Sequence, residues 1–318
     1  MFQFVNWLKA IAAVFITNSH YANIWPVSAL AMGGHLGNCL FFLVSGFCLY
    51  QVKGSFPRWY LKRVVRIYPA LWIAIVYNMA LGLFQVDSVR AFLRCFFYPT
   101  WYHFIASILL LYILFYLWRW VQKRFRVSVW AALLATVVVY GAVYLFCFDK
   151  SIYHIDRVEE NWVRFQFWAS MLLGARLRED YDAIDNQLSF GHWAGLAGLT
   201  VAYFGAKVAF VKVQAISVVQ CFLPVLMVWL VYQIALTAIK LEKQGFFAGK
   251  HQLNKLVGFL SAITLEIYLV QNVLIARLSH LVFPVNFVVV TGLILVVAAL
   301  AHRLADRIGK TVSGWLKL

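Results

Sequence analysis

Charged residues are scarce in this chain. Only 13% of its 318 residues are Asp, Glu, Lys or Arg, about half of the share that is typical of soluble domains. Apolar residues make up 64% of the chain, and its mean hydropathy is +0.78. A soluble domain of this length needs more charge on its surface to stay in water. The composition therefore excludes an ordinary soluble enzyme and a disordered chain, and it predicts an integral membrane protein.

Patterns typical of disulfides, metal sites and extra domains are also lacking. The five cysteines form no CxxC pair and most lie in apolar runs, which indicates buried free thiols. No pair of the eight histidines has the spacing of metal ligands, so we expect no metal. The gaps between apolar runs are too short for a second folded domain. We therefore expect residues 1–318 to form a single transmembrane domain without a soluble accessory domain.

Long apolar runs recur along the whole chain, and a membrane-spanning helix needs roughly 20 such residues. Ten segments qualify: 7–25, 35–51, 67–86, 101–119, 127–148, 162–177, 188–211, 213–239, 256–278 and 281–301. With the N-terminus in the cytoplasm, 20 of the 28 Lys and Arg residues lie on the cytoplasmic side, as the positive-inside rule requires. This predicts an all-α integral membrane protein with about ten transmembrane helices and both termini cytoplasmic. It also explains the net charge of +16 without a nucleic acid partner.

Acidic residues are absent from the first 86 positions, although six cations lie there. Two anionic partners fit this pattern: the head groups of acidic membrane lipids, or a polyanionic cosubstrate. Arg63 and Arg66 are three residues apart, so on a helix they share a face. Because the planar guanidinium matches phosphate oxygens in bidentate fashion, this pair is a candidate phosphate site. Anchoring at the membrane interface is the alternative role.

His20 lies inside the first predicted crossing, eleven residues after Lys9. Eleven residues return to the same helix face, roughly 16 Å further along the axis. An ionisable side chain in the membrane interior suggests a functional role, and histidine suits general-base catalysis near neutral pH. A packed histidine bonded to a carbonyl is the alternative. Phosphate-binding cations at the cytoplasmic edge, with a base deeper in the membrane, would suit coenzyme A.

Four segments in order carry a resemblance to a known family. They are Lys9 with His20, Gly37-Asn38-Cys39-Leu40-Phe41-Phe42-Leu43-Val44-Ser45-Gly46-Phe47, Arg63-Val64-Val65-Arg66-Ile67-Tyr68-Pro69, and Ser261-Ala262-Ile263-Thr264-Leu265-Glu266-Ile267-Tyr268-Leu269-Val270-Gln271. Together they resemble the membrane-bound acyltransferase 3 family, the ten-helix enzymes that O-acylate bacterial surface glycans. The chain departs from the family pattern at Lys9, where Arg is usual, and at Gln271, where many members have His.

The resemblance implies a membrane-bound O-acetyltransferase of the bacterial cytoplasmic (inner) membrane. Its donor would be acetyl-CoA or another acyl-CoA, bound from the cytoplasm through Lys9, Arg63 and Arg66. The acceptor would be a hydroxyl of a surface or lipid-linked polysaccharide, such as lipopolysaccharide or capsule. His20 would be the catalytic base. We expect direct transfer rather than an acyl-enzyme.

Three further polar residues are candidates for a substrate contact or for supporting the site. Asn38 would hydrogen-bond the ligand or a neighbouring helix, while Ser45 and Gly46 more naturally allow close helix packing. Glu266 is the only acid well inside a predicted crossing, so it would pair with a buried Arg or Lys, or orient His20 or a substrate hydroxyl. The remaining histidines are expected mostly at interfaces or in solvent: His35, His103, His154, His192, His251, His280 and His302.

A transporter or flippase of a lipid-linked sugar is the alternative function, since it would also need polar groups in the membrane interior. Such proteins often contain internal repeats and paired broken helices, and the sequence shows neither. A membrane glycosyltransferase is less suitable, because residues 26–34, the first predicted outer loop, contain no acid.

Overall fold

The computed structural model describes residues 2–83, 85–157 and 160–318. Within these ranges the regular structure is helical and no strand occurs. The α-helices are α1 (Gln3–Ser19), α2 (Gly34–Leu49), α3 (Phe56–Ala80), α4 (Val89–Phe96), α5 (His103–Phe125), α6 (Val129–Cys147), α7 (Val163–Glu179), α8 (Phe190–Lys212), α9 (Phe222–Lys243), α10 (His251–Ala262), α11 (Thr264–Leu278) and α12 (Val285–Trp315). Three short 3₁₀ helices, Tyr21–Asn23, Ser28–Leu30 and Gln214–Val219, complete the set. The prediction of an all-α protein is confirmed.

Several helices begin at a serine that supplies the missing hydrogen-bond acceptor. The hydroxyl of Ser128 accepts from the backbone N–H of Ala131, three residues later, at 3.1 Å. Ser189 accepts from His192 in the same way at the start of α8. Each of these contacts satisfies one of the four backbone donors that a helix leaves unpaired at its N-terminus. These capping serines therefore mark the N-terminal ends of the helices that follow them.

Six helical segments of the described chain are long and apolar enough to cross a membrane: Ser28–Leu49, His103–Phe125, Val129–Cys147, Phe190–Lys212, Phe222–Lys243 and Val285–Trp315. A seventh results if α10 and α11, which are bent by 69° at Ile263, form one span. The chain therefore has the helices of a multi-pass membrane protein. Crossings at the first, third and sixth predicted segments, a total of ten, and the cytoplasmic termini stay predictions.

The helix boundaries differ from the predicted segments mainly where cations occur. α3 begins at Phe56, eleven residues before the predicted 67–86. The basic stretch 56–66 is therefore helical although it is not apolar. α12 continues to Trp315, well beyond the predicted end at 301, in the same way. By contrast, α1 ends at Ser19, so the prediction of a helix over 7–25 was wrong at its end. Hydropathy alone detects the apolar part of a helix and not its polar extension.

The chain separates into two compact units. Unit 1 comprises Met1–Leu8, Asn38–Gln51 and Phe115–Asn254, and unit 2 comprises Lys9–Gly37, Val52–Leu114 and Lys255–Leu318. The expectation that residues 1–318 act as one domain stays a prediction.

Unit 1 contains a very close crossing of α2 and α7. A Cβ added to Gly46 would lie 1.9 Å from the carbonyl oxygen of Met171, and one added to Gly174 would lie 1.9 Å from that of Leu43. Both distances are far below van der Waals contact, so only glycine fits at either position. Beside this crossing, the rings of Phe42 and Phe167 stack at 4.4 Å. The structure thus gives Gly46 the packing role that small residues have in membrane helices.

Unit 2 is built around α3, α11 and α12. Its apolar core joins the turn after α1 to α11 and α12 through Tyr21, Ile24, Ile263, Ile267, Val270, Ile275, Val290, Ile294 and Ala298. α3 and α12 run antiparallel, because Arg58 bonds to the carbonyl of Lys317 at 3.1 Å while Gly309 approaches the carbonyl of Val65. This register provides a measure of depth along unit 2.

Candidate active site

Unit 2 contains five of the seven predicted site residues, Lys9, His20, Arg63, Arg66 and Glu266, while Asn38 and Ser45 belong to unit 1. The structure thus groups the proposed base and the proposed phosphate-binding cations in one compact unit, although they come from distant parts of the sequence.

His20 lies directly after α1, at the start of a short 3₁₀ turn. Its backbone N–H donates to the carbonyl of Thr17 at 3.0 Å, which closes the last turn of the helix. The residue is exposed, and within the described residues its imidazole has no hydrogen-bond partner. The prediction that His20 lies within the first helix was therefore wrong. The alternative of a packed histidine bonded to a carbonyl does not fit this placement either.

The depth of His20 follows from its neighbour Tyr21. The Tyr21 hydroxyl lies 2.9 Å from the Thr291 hydroxyl on α12, and the amide of Asn286 donates to the carbonyl of Ile24 at 3.0 Å. Thr291 precedes Gly309, which packs on α3 at Val65, by 18 residues, or roughly 27 Å at 1.5 Å per residue. His20 therefore lies near one end of unit 2, and Arg63 and Arg66 lie near the other.

Arg63 is partly engaged by its own helix. Its guanidinium stacks over the ring of Trp59 at 3.6 Å, and its Nη1 donates to the carbonyl of Trp59 at 2.5 Å. Its Nε has no partner among the residues that the structure describes. The Nε atom is itself buried, so it is unpaired but shielded from solvent. The edge formed by Nε and Nη2 is the one with which a guanidinium binds two phosphate oxygens at once.

Arg66 and Lys9 occupy different environments. Arg66 is exposed on α3, and it has no hydrogen bond or ion pair within residues 2–83, 85–157 and 160–318. Lys9 is half-buried in α1. In contrast to the guanidinium of Arg63, that of Arg66 is therefore exposed and unpaired within the described residues.

Glu266 lies in the first turn of α11 and is 5% exposed. Its Oε1 accepts from Nδ1 of His302 at 2.9 Å, while its Oε2 has no partner in the described part of the chain. The expected Arg or Lys partner was therefore wrong, and so was the alternative of orienting His20. His302 itself was expected at an interface or in solvent, but it forms a carboxylate–imidazole pair.

Sequence reasoning missed this pair because its members are 36 residues apart and belong to different helices. The only signal was the isolated acid at Glu266. The burial of two side-chain amides was missed as well. Asn78 donates to the hydroxyl of Tyr102 at 2.6 Å, and the side chain of Gln271 is fully buried with both polar atoms unpaired among the described residues.

The two predicted site residues of unit 1 differ in what they offer. Ser45 donates its hydroxyl hydrogen to the carbonyl of Phe41 on its own helix at 2.9 Å. Asn38 is 9% exposed, and its Oδ1 has no partner within the residues described. Asn38 thus keeps a buried hydrogen-bond acceptor available, whereas the Ser45 hydroxyl is used locally.

In the described residues no group of three His, Cys, Asp or Glu side chains is arranged to hold a metal ion. The polar residues of unit 2 considered above comprise Arg63 and Arg66 near one end, the Glu266–His302 pair further along, and the exposed imidazole of His20 near the other end. This arrangement lies in a chain that has the helices of a multi-pass membrane protein.

The comparison with known families identifies the chain more closely. The acyltransferase 3 family, described as an acyltransferase domain, matches residues 2–303, which is nearly the whole chain. The protein therefore belongs to this family, as its four motifs predicted, and is a membrane acyltransferase. Neither a curated protein nor a solved structure matches it.

Proposed function

We propose that this protein transfers a short acyl group, most simply acetyl, from cytoplasmic acyl-CoA to a hydroxyl of a bacterial surface or lipid-linked polysaccharide. It would do so as a ten-span protein of the inner membrane with both termini in the cytoplasm. The observation that carries the proposal is the match of an acyltransferase family over residues 2–303. The position of His20 and the cations in one compact unit supports it.

In this proposal the phosphates of the donor bind to Arg66 and to the guanidinium of Arg63, with Lys9 adding positive charge. The phosphates of coenzyme A carry several negative charges. Residues 1–86, which contain these cations, include no Asp or Glu, since the first acid is Asp87. Charge-assisted hydrogen bonds of this kind are stronger than neutral ones. The exposed position of Arg66 allows an anion to approach it.

His20 is the proposed base. Its imidazole would take the proton of the sugar hydroxyl while the hydroxyl oxygen attacks the thioester carbonyl carbon. The new C–O bond replaces the C–S bond, and the departing thiolate takes up a proton to give free CoA. Exposure of the ring and the lack of a competing hydrogen bond within the described residues support this assignment.

Mass spectrometry of the surface glycan tests the proposal. Cells with the protein should carry acetyl groups on the glycan, and cells without it should lose that mass. With purified protein, acetyl-CoA and the isolated glycan, free CoA thiol should appear in step with glycan acetylation. A transporter or flippase would move the sugar without releasing thiol, and that result would replace the proposal.

A further inference from the structure

The Glu266–His302 pair is an ionisable site in the membrane part of unit 2 that the proposed reaction does not use. The carboxylate is almost completely buried, with 6% of its side chain exposed, whereas 36% of the His302 side chain is exposed. Burial of an unpaired carboxylate is strongly unfavourable, so the pairing with Nδ1 explains how the carboxylate is retained. Ionisable pairs within membrane helices are usually functional.

The geometry of the pair fixes what His302 can offer to a ligand. A carboxylate only accepts hydrogen bonds, so Nδ1 of His302 donates its hydrogen to Glu266. The Nε2 atom is then the free one, and among the described residues it has no partner. A neutral imidazole accepts a hydrogen bond at Nε2 and a protonated one donates there. Because one nitrogen is fixed by Glu266, the ring is held in one orientation.

The depth of His302 follows from the register of α3 and α12. His302 precedes Gly309, which packs on Val65, by seven residues, so it lies roughly 10 Å further along the helix axis. Val65 is flanked by Arg63 and Arg66. Thr291, which marks the level of His20, lies eleven residues, or roughly 16 Å, beyond His302. His302 is therefore between the proposed phosphate site and the proposed base.

The position of His302 between the two proposed sites bears on how the donor would bind, and this inference rests on the proposed function. A coenzyme A molecule with its phosphates at Arg63 and Arg66 and its thioester directed toward His20 has its pantetheine arm in between. That arm contains two amides and a hydroxyl, which are groups that hydrogen-bond an imidazole. We propose that His302, held by Glu266, binds the pantetheine arm and positions the thioester.

A role for His302 as a second base on the same carbonyl does not fit this spacing. A base must lie within hydrogen-bond reach of the proton that it removes, and His302 and the level of His20 are separated by roughly 16 Å. His302 is thus assigned as a positioning residue for the donor.

The test uses two probes on the purified full-length protein in nanodiscs, CoA and adenosine 3′,5′-bisphosphate. The second probe keeps the 3′-phosphate and a 5′-phosphate but lacks the pantetheine arm. His302→Ala should weaken CoA binding by about 3- to 10-fold, as expected for one lost hydrogen bond, and leave bisphosphate binding unchanged. Arg66→Gln should weaken the binding of both. Glu266→Gln should weaken CoA binding less than His302→Ala, because it keeps the side-chain shape.

Kinetic constants distinguish a residue that positions the donor from one that takes part in the chemical step. In acetylation assays His302→Ala should raise the KM for acetyl-CoA while changing kcat little, and His302→Gln, which keeps a polar group near Nε2, should restore part of the affinity. Equal CoA affinity in wild type, His302→Ala and Glu266→Gln would overturn the inference, and so would a large loss of kcat at unchanged KM. If the wild type binds neither probe, the proposed function fails and this inference fails with it. If the alanine variant does not fold, Glu266→Gln and His302→Gln provide the same comparison.

Discussion

The crossing of α2 and α7 in unit 1 allows a quantitative prediction. Replacing Gly46 by Ala places a Cβ 1.9 Å from the carbonyl oxygen of Met171. Ordinary contact begins near 3.4 Å, so the two helices must separate by about 1.5 Å at this point or the side chain must distort them. Overpacking of this kind typically destabilises a protein by about 1–3 kcal/mol.

An opposing effect has to be subtracted. Alanine is favoured over glycine inside a helix by up to about 1 kcal/mol, so part of the loss at the crossing is offset. Gly198 in α8 provides the matched control, because a Cβ added there meets no atom within 4 Å. Gly198→Ala is the same chemical change in a helix of the same unit, without the close approach. The difference between the two variants therefore isolates the crossing.

We expect Gly46→Ala and Gly174→Ala each to lower the apparent melting temperature of the detergent-purified protein by several degrees, while Gly198→Ala leaves it equal or higher. Thermal unfolding followed by size-exclusion chromatography measures this directly. The reasoning is refuted if both crossing variants melt with the wild type, or if Gly198→Ala loses as much stability as they do.

Three further predictions concern the site. His20→Ala should abolish acetylation of the glycan while CoA affinity and expression stay at wild-type levels; continued acetylation would exclude His20 as the base. Changing both Arg63 and Arg66 to Gln should weaken CoA binding, and the remaining binding should depend less on salt than that of the wild type, because fewer charges are screened. Lys53→Gln is the control. Equal CoA affinity for the double variant and the wild type would show that the two arginines serve only to orient the protein in the membrane. Gln271→Leu should raise the melting temperature, since it removes buried polar atoms that have no partner within the described residues, each unfavourable by about 1–3 kcal/mol; a lower melting temperature would show that the amide is satisfied in the protein.

The motifs predicted the family correctly because they depend on residues close together in sequence. The Lys9–His20 spacing, the Arg63–Arg66 pair and the glycine-containing run around Gly46 are local patterns, and the family match over residues 2–303 agrees with them. The helices were predicted for a similar reason, since a long apolar run in lipid has to satisfy its backbone hydrogen bonds within itself.

The sequence-based predictions failed where a helix contains polar residues and where an apolar run bends. The basic start of α3 and the end of α12 are helical although they are not apolar. The bend at Ile263 interrupts an apolar run that sequence alone treats as one span. A hydropathy average reports neither the helicity of a polar stretch nor a bend within an apolar one.

Composition and short motifs by themselves determined that this protein is helical, that its environment is a membrane and that its family is that of membrane acyltransferases, because transfer of apolar surface out of water and local residue spacing are properties of the chain. Only the tertiary structure decided that Glu266 pairs with His302, that His20 lies beyond the end of α1, and that Gly46 faces a carbonyl oxygen. Each of these depends on which helices pack together and in which register. Residues separated by 36 positions, as Glu266 and His302 are, become neighbours only when two helices settle on their packing faces.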